Sequence, residues 1–266
     1  MSTLVNGLVA STISVADRGL QYGDGLFETI AWRNGVLEYW DAHIQRLTLG
    51  CHRLGISLPD ITTIKEECLL VTGSQATAVI KIILTRGEGG RGYKPDDHTR
   101  PTRIISSHSW PEDVDKYARQ GIACTLCKSR LAMNPLLAGL KHLNRLEQVL
   151  AARELDGGRF QEGLLLDYDN NLICGTKSNL FLVRNNVLYT ADLRRTGIAG
   201  VMRANILAIA QSLDLPVNIQ DLTIDDLHTA EEVFLSNSII GLWPVRSIDD
   251  RHYNSNTWTQ KIQKAI

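Results

Sequence analysis

Apolar and β-prone residues fill positions 26–32 and 36–40 on either side of Asn34-Gly35, and this pattern predicts a β-hairpin. A tight turn is expected at Asn6-Gly7. From Asp41 the period changes. Ile44, Leu47, Leu54 and the aliphatic part of Arg46 recur at helical spacing, which predicts a helix capped by Asp41 and ending at Leu54. A second helix is predicted over 60–71, and strands over 77–84 and 100–108. The polar, proline-containing passage Trp110-Pro-Glu-Asp-Val-Asp-Lys-Tyr then predicts a break between domains. The chain accordingly divides into an N-terminal α/β domain over 1–112, a linker over 113–119 and a C-terminal domain over 120–266.

The second half opens with a strand predicted over 121–128. Leu143, Leu146, Val149 and Leu150 follow at helical spacing from His142 onward, and Asp156-Gly157-Gly158 supplies the stop. Strands are predicted over 163–167, 172–173, 179–183 and 187–190, joined by Asp- and Asn-rich turns. Gly200-Val-Met-Arg203 opens a helix running to residue 213. Strands over 232–236 and 245–248 follow, the first ending in a tight connection at 237–241. The fold class read from this order is mixed α/β or α+β in two domains.

Composition narrows the function more than the fold. With 44% hydrophobic and 21% charged residues and a net charge of −1, the profile is that of a globular domain protein. The near-neutral balance argues against nucleic-acid or anionic-membrane partners, which require a concentrated basic field. No apolar run approaches membrane-spanning length. The start, Met1-Ser-Thr-Leu-Val-Asn-Gly-Leu-Val-Ala, lacks a basic region and does not read as a signal peptide, so a cytoplasmic location is expected. Five cysteines, an odd number, point to reduced thiols. Cys124 and Cys127 form a C-x-x-C within a predicted strand, where residues three apart face opposite ways, and no second pair follows at ligand spacing. No metal site is expected.

Three stretches carry candidate chemistry. Lys141 lies among leucines where a helix is predicted to begin; partial shielding loosens its proton, and a neutral amine can attack a carbonyl. Taken alone, these residues fit a solvated surface lysine better. Residues 85–93, Thr-Arg-Gly-Glu-Gly-Gly-Arg-Gly-Tyr, form a glycine-rich loop after a strand, suited to anions through Arg91 and converging amides, or else a mobile surface loop. The start of the predicted helix at Gly200 presents unpaired amides that could hold a phosphate.

Together the segments resemble the fold-type IV pyridoxal-phosphate enzymes, the group holding branched-chain aminotransferases, D-amino-acid aminotransferases and aminodeoxychorismate lyases. Tyr22-Gly-Asp-Gly-Leu-Phe-Glu-Thr29 looks like the family's N-terminal active-site strand, and His43-x-x-Arg46 its helix with a phosphate-binding arginine. Lys141 matches the Schiff-base lysine. Asn179-Leu-Phe matches the strand after the cofactor, Gly200-Val-Met-Arg203 the phosphate-binding helix start, and Leu235-Ser-Asn-Ser238 the last phosphate loop. Within the group, Arg86-Gly-Glu-Gly-Gly-Arg-Gly-Tyr93 and Leu140-Lys-His-Leu-Asn-Arg-Leu-Glu-Gln-Val149 are similar to the lyase branch, which releases pyruvate from 4-amino-4-deoxychorismate to leave 4-aminobenzoate for folate synthesis. The alternatives of the same fold are D-amino-acid and branched-chain aminotransferases, and a carrier that binds the cofactor without turnover is the alternative of another class.

The resemblance implies a D-amino-acid aminotransferase-like chain whose cofactor, pyridoxal 5'-phosphate, lies in the cleft between the halves, the second of them a pseudo-barrel. Lys141 is then catalytic. Arg46, the amides of Val201 and Met202, and Ser238 hold the phosphate. Thr29 and Asn237 orient the substrate, with Tyr22, Arg91 and Tyr93 beside it, and the last two facing its carboxylates. A homodimer is implied. One position departs from the pattern: where the family places a glutamate against the pyridine nitrogen, ungapped alignment puts Cys174. A thiol has a reference pKa near ~8.5 against ~4.3 for glutamate, so it would hold a pyridinium less firmly.

Overall fold

The computed structural model describes residues 3–96 and 99–266, and the side chain of Asp156 is outside that description. The chain forms two compact units. One comprises residues up to Pro111 together with Leu140–Asn144, the other Glu112–Gly139 with Arg145–Ile266.

The first unit runs β1 (Thr3–Val5), β2 (Leu8–Val9), α1 (Arg18–Tyr22), β3 (Gly25–Arg33), β4 (Val36–Leu37), α2 (Trp40–Leu54), α3 (Ile61–Thr72), β5 (Thr77–Thr85) and β6 (Thr102–His108). Its strands make one antiparallel sheet in the order β2-β1-β6-β5-β3-β4. Alternation decides which face is buried. On β5, Ala78, Ile80, Ile82 and Leu84 are inaccessible, and on β3 Leu26, Glu28 and Ile30 share the covered face. Gly50 of α2 allows the close approach: a Cβ there would lie 2.7 Å from a Leu26 methyl. The other face carries the half-exposed Phe27, Thr29 and Lys81.

The second unit runs α4 (Val114–Gln120), β7 (Ile122–Leu131), α5 (Leu146–Arg153), β8 (Glu162–Asp167), β9 (Leu172–Gly175), β10 (Asn179–Arg184), β11 (Val187–Ala191), α6 (Val201–Ser212), β12 (Val217–Gln220), α7 (Ile224–Thr229), β13 (Glu232–Asn237), β14 (Gly241–Ile248), β15 (Arg251–His252) and α8 (Thr257–Ala265). The strand path β12-β11-β10-β13-β14-β7-β8-β9 returns on itself, because β9 also pairs with β10 through Cys174 and Asn179. β10, β13, β14, β7, β8 and β9 therefore close a ring. Closure leaves no free edge among these six and explains why every residue of β8 and nearly every residue of β10 is buried. Phe181 and Phe234 stack across β10 and β13 with ring centroids 4.9 Å apart.

Several expectations are corrected. Residues 113–119, read as a linker, hold most of α4, whose Val114 carbonyl accepts from Trp243 Nε1 at 3.1 Å. Residues 17–25 contain α1, capped by the Asp17 side chain on Gly19 N. α2 is entered through Tyr39 in the left-handed region, so Asp41 sits in its first turn and is not the cap. The helix expected from His142 starts at Leu146, because the backbone from Lys141 to Leu143 is taken up by β3. Phe27 N donates to Lys141 O at 2.9 Å and Leu143 N to Gly25 O at 3.0 Å. Finally, Cys124 and Cys127 are both buried on β7, and Cys127 Sγ lies 3.8 Å from Ala151 O of α5. All five cysteines are free and buried.

Candidate active site

In the first unit, Lys141 is half-buried and lies along β3, where the pairing of Leu26 with His142 fixes its register. Its Nζ stands 4.2 Å from the centroid of the Phe27 ring. An amine against an aromatic face exchanges part of its water shell for the ring's negative quadrupole. Thr29, two residues along, shares that face of the strand.

Glu28 has the opposite alternation and is 1% exposed. Its carboxylate receives Arg46 Nε at 2.8 Å, Arg46 Nη2 at 2.5 Å and lies 2.7 Å from His43 Nδ1. His43 and Arg46 are one turn apart on α2 and so present an imidazole and a guanidinium to one acid. Burial alone would raise the Glu28 pKa, but the bonds from Arg46 and His43 outweigh it and hold the acid below its ordinary value of 4.5.

The glycine-rich loop and α1 line an open cavity of about 670 Å³ with Gln21, Tyr22, Arg91, Tyr93 and the intervening glycine backbone. Three residues expected near substrate are thus brought together. The Tyr22 and Tyr93 rings meet edge to face at 5.5 Å, and Arg91 is exposed.

In the second unit, Gly200 caps α6 with no side-chain acceptor, and the amides of Val201 and Met202 have no hydrogen-bond partner among the described residues. Gly200 is required here by close approach: a Cβ would fall 2.1 Å from Asn179 Oδ1. Ser236 pairs with Asn179 across the ring, so the two share a face, and the fully buried Ser236 Oγ has no partner among the described residues. Ser238 is half-exposed at the following turn. Asn237 is drawn into that turn: its Oδ1 accepts from Ile239 N and Ile240 N at 2.8 and 2.9 Å, and its Nδ2 donates to Lys177 O at 3.0 Å.

Cys174 is 7% exposed on β9. Burial, reinforced by the neighbouring Glu162 carboxylate, pushes its thiol up to about 12, so it is neutral near pH 7. Glu162 itself is committed to the turn beyond: it accepts from Thr176 N and Ser178 Oγ at 3.0 Å each and from Thr176 Oγ1.

Sequence reading passed over Glu28, Ser236 and Arg18. For Glu28 a signal existed: an acid on the apolar parity of a buried strand demands cationic partners. Among the described residues no group of His, Cys, Asp or Glu is arranged to hold a metal, and no helix is long and apolar enough to cross a membrane.

An antiparallel sheet covered by two helices, a closed six-strand ring and an uncapped helix start beside it are the frame of one enzyme class, and the chain belongs to the amino-transferase class IV family, whose match spans residues 25–248. It is 41% identical over 244 residues to the aminodeoxychorismate lyase of Vibrio harveyi, covering 92% of this chain and 90% of that one. It is 32% identical over 261 residues to a putative branched-chain-amino-acid aminotransferase of Methanocaldococcus jannaschii, covering 96% and 88%. The crystal structure of 4-amino-4-deoxychorismate lyase from Pseudomonas aeruginosa superposes with a TM-score of 0.94 at 45% identity, covering 99% of this chain and 97% of that one.

Proposed function

We propose that this protein is a pyridoxal-phosphate lyase that eliminates pyruvate from 4-amino-4-deoxychorismate and leaves 4-aminobenzoate. The observation that carries the reading is the Lys141 amine, fixed by β3 and set over Phe27 on the face that also bears Thr29, in a chain similar to two such lyases along nearly its whole length.

The residues present fit the cofactor at its phosphate end. Unpartnered amides of Val201 and Met202, the close Gly200 backbone and the buried Ser236 hydroxyl make a polar cradle at a helix start. Ser238 adds to it from the following turn. When bound, pyridoxal 5'-phosphate supplies an aldehyde that takes up the substrate's amine and a ring that spreads the electron pair left by proton removal.

Lys141 Nζ holds the group between turnovers. As a free amine it would take the proton from the amine-bearing ring carbon of the substrate; the bond from the adjacent carbon to the enolpyruvyl oxygen then breaks, and the ring becomes aromatic. The same amine returns a proton to the departing methylene, giving pyruvate. Thr29 orients the substrate, Asn237 does so through the turn it braces, and Tyr22, Arg91 and Tyr93 take its carboxylate end. Cys174, a neutral thiol, would offer no anion to the ring nitrogen of that group. Aromatisation compensates in the lyase reaction, whereas amino transfer has no such gain.

A homodimer, as the resemblance implies, is tested by light scattering. Buried free thiols suit a reducing compartment such as the cytoplasm. The deciding experiment incubates the protein with aminodeoxychorismate and follows 4-aminobenzoate and pyruvate together, with Lys141→Ala as control. Equal yields, absent in the control, establish the lyase. Amino transfer to a 2-oxo acid without pyruvate release moves the assignment to an aminotransferase.

A further inference from the structure

Arg18 lies in α1, outside every segment assigned to chemistry, yet its side chain is only 3% exposed. Each of its three guanidinium nitrogens donates a hydrogen bond. Nε donates to Asp24 Oδ2 at 3.0 Å, Nη1 to Gly92 O at 3.0 Å and Nη2 to Tyr93 O at 2.7 Å, while the group sits 4.9 Å from the centroid of the Tyr22 ring. Asp24 is held in turn by Arg86, through Nε at 2.7 Å and Nη2 at 3.1 Å. The backbone repeats the attachment: Arg18 N donates to Gly87 O at 2.9 Å. At Gly89 a Cβ would fall 2.7 Å from Arg18 Cδ, so the loop follows the arginine's stem closely.

Residues 87–93 contain Gly87, Gly89, Gly90 and Gly92, and such a loop has little intrinsic preference for one conformation. Two successive carbonyls gripped by one planar fork fix the peptide plane between Gly92 and Tyr93. That plane sets where the neighbouring side chains go: Tyr93 against Tyr22, and Arg91 at the cavity wall.

We propose that Arg18 is a positioning residue for substrate specificity, holding the 87–93 loop in the shape that lets Arg91 and Tyr93 receive the substrate's carboxylates. The proposal rests on the reading of this cavity as the carboxylate end of the site. Arg18 touches no reacting atom. Its loss therefore weakens substrate binding and leaves the chemical step and the cofactor in place. A lysine in its place keeps the charge but reaches one carbonyl and loses the fork, so it restores function only in part.

The test compares Arg18→Lys, Arg18→Met, Arg91→Met and the double variant Arg18→Met/Arg91→Met as holoenzymes. Hydrogen exchange across the chain, cofactor content, and KM and kcat for aminodeoxychorismate are measured. For Arg18→Met the expected result is faster exchange confined to the peptides covering residues 14–24 and 87–95, full cofactor content, KM raised about tenfold and kcat within about threefold. Arg18→Lys falls between it and wild type, and the double variant loses less than the product of the two single effects, since Arg18 acts partly through Arg91. Unchanged exchange at 87–95, an unchanged KM, loss of kcat and cofactor together, or fully additive effects in the double variant overturn the proposal. If Arg91→Met matches wild type in KM, the carboxylate reading of the cavity fails, and with it the specificity role; the exchange data then still report whether Arg18 holds the loop.

Discussion

Arg46 Nη2 stands 2.5 Å from Glu28 Oε2, and the acid is almost entirely removed from solvent. The cation assigned to the cofactor phosphate is therefore already partnered by an ionised carboxylate. Removing one member of a buried pair costs about 3–5 kcal/mol, because the survivor keeps a charge in low dielectric. Glu28→Gln is expected to lower the melting temperature by about 10 °C at pH 7, measured by calorimetry on the apoprotein. The folded pKa lies below 4.5, so the stabilisation is complete above that value and is lost as pH falls through the folded pKa. The gap between wild type and Glu28→Gln should accordingly close below pH 4.5; a gap that widens there refutes the assignment.

Lys141→Ala removes an amine but no backbone bond, since the strand pairing uses the Lys141 carbonyl and the amides of Phe27 and Leu143. The variant should melt within a few degrees of wild type, as expected for a half-exposed side chain costing about 1 kcal/mol or less. It should form no coloured covalent adduct with pyridoxal phosphate. Borohydride treatment followed by mass spectrometry should mark the peptide containing residue 141 in wild type alone.

The raised thiols predict a weakness at high pH. Cys51 is pushed up to about 11 and Cys68, Cys127 and Cys174 to about 12, in each case chiefly by burial. Against an unfolded value of 9.0, the folded state resists ionisation. Stability is unaffected below pH 9 and declines as pH rises from there toward 12. Native protein at pH 7 should show no fast-reacting thiol toward a disulfide reagent, and five after denaturation. A rapid native thiol at Cys174 contradicts the neutral assignment.

Cys174→Glu introduces the anion that the wild-type residue lacks. Transamination of an amino acid, followed as conversion of the cofactor to its amine form, is expected to accelerate by about tenfold or more while the lyase rate gains less. Equal transamination rates in the two proteins count against a role for residue 174 at the pyridine nitrogen.

Gly200 has φ −68° and ψ 142°, which any residue adopts, so Gly200→Ala tests space alone. Its methyl would displace Asn179, whose Nδ2 now donates to Ile198 O at 2.9 Å. A stability loss of about 1–3 kcal/mol is expected from overpacking. Cofactor affinity should fall about tenfold by equilibrium dialysis, the equivalent of about 1.4 kcal/mol.

Long elements with a buried face were legible in the sequence: β3, β5, α2 and α6 carry their period openly, and Asn34-Gly35 marks its turn. Elements whose existence depends on a distant partner were not. α1 is five residues long, and its Arg18 finds its acceptors at Gly92 and Tyr93. α4 is mostly polar and reveals itself only where Val114 meets Trp243. The leucines around Lys141 fit a helix or an added strand equally well, and backbone bonding to Gly25 and Phe27 decided between them. Of the site, the lysine and the helix start could be read from family likeness. The Glu28 pair, the Asn237 turn and the Arg18 grip could not, because each is a matter of which donor faces which acceptor.

Residues Leu140–Asn144 complete a unit whose other members end at Pro111. The chain thus leaves that unit, returns for five residues, and leaves again. During synthesis, the first unit stays without the peptide that pairs with Gly25 and Phe27 until residue 144 has emerged from the ribosome, by which time α4 and β7 have already been made. A gene fragment cut at the apparent boundary would therefore encode neither half intact: the piece ending at Pro111 lacks Lys141 and the segment around it, and the remainder carries that segment with nothing to lie against.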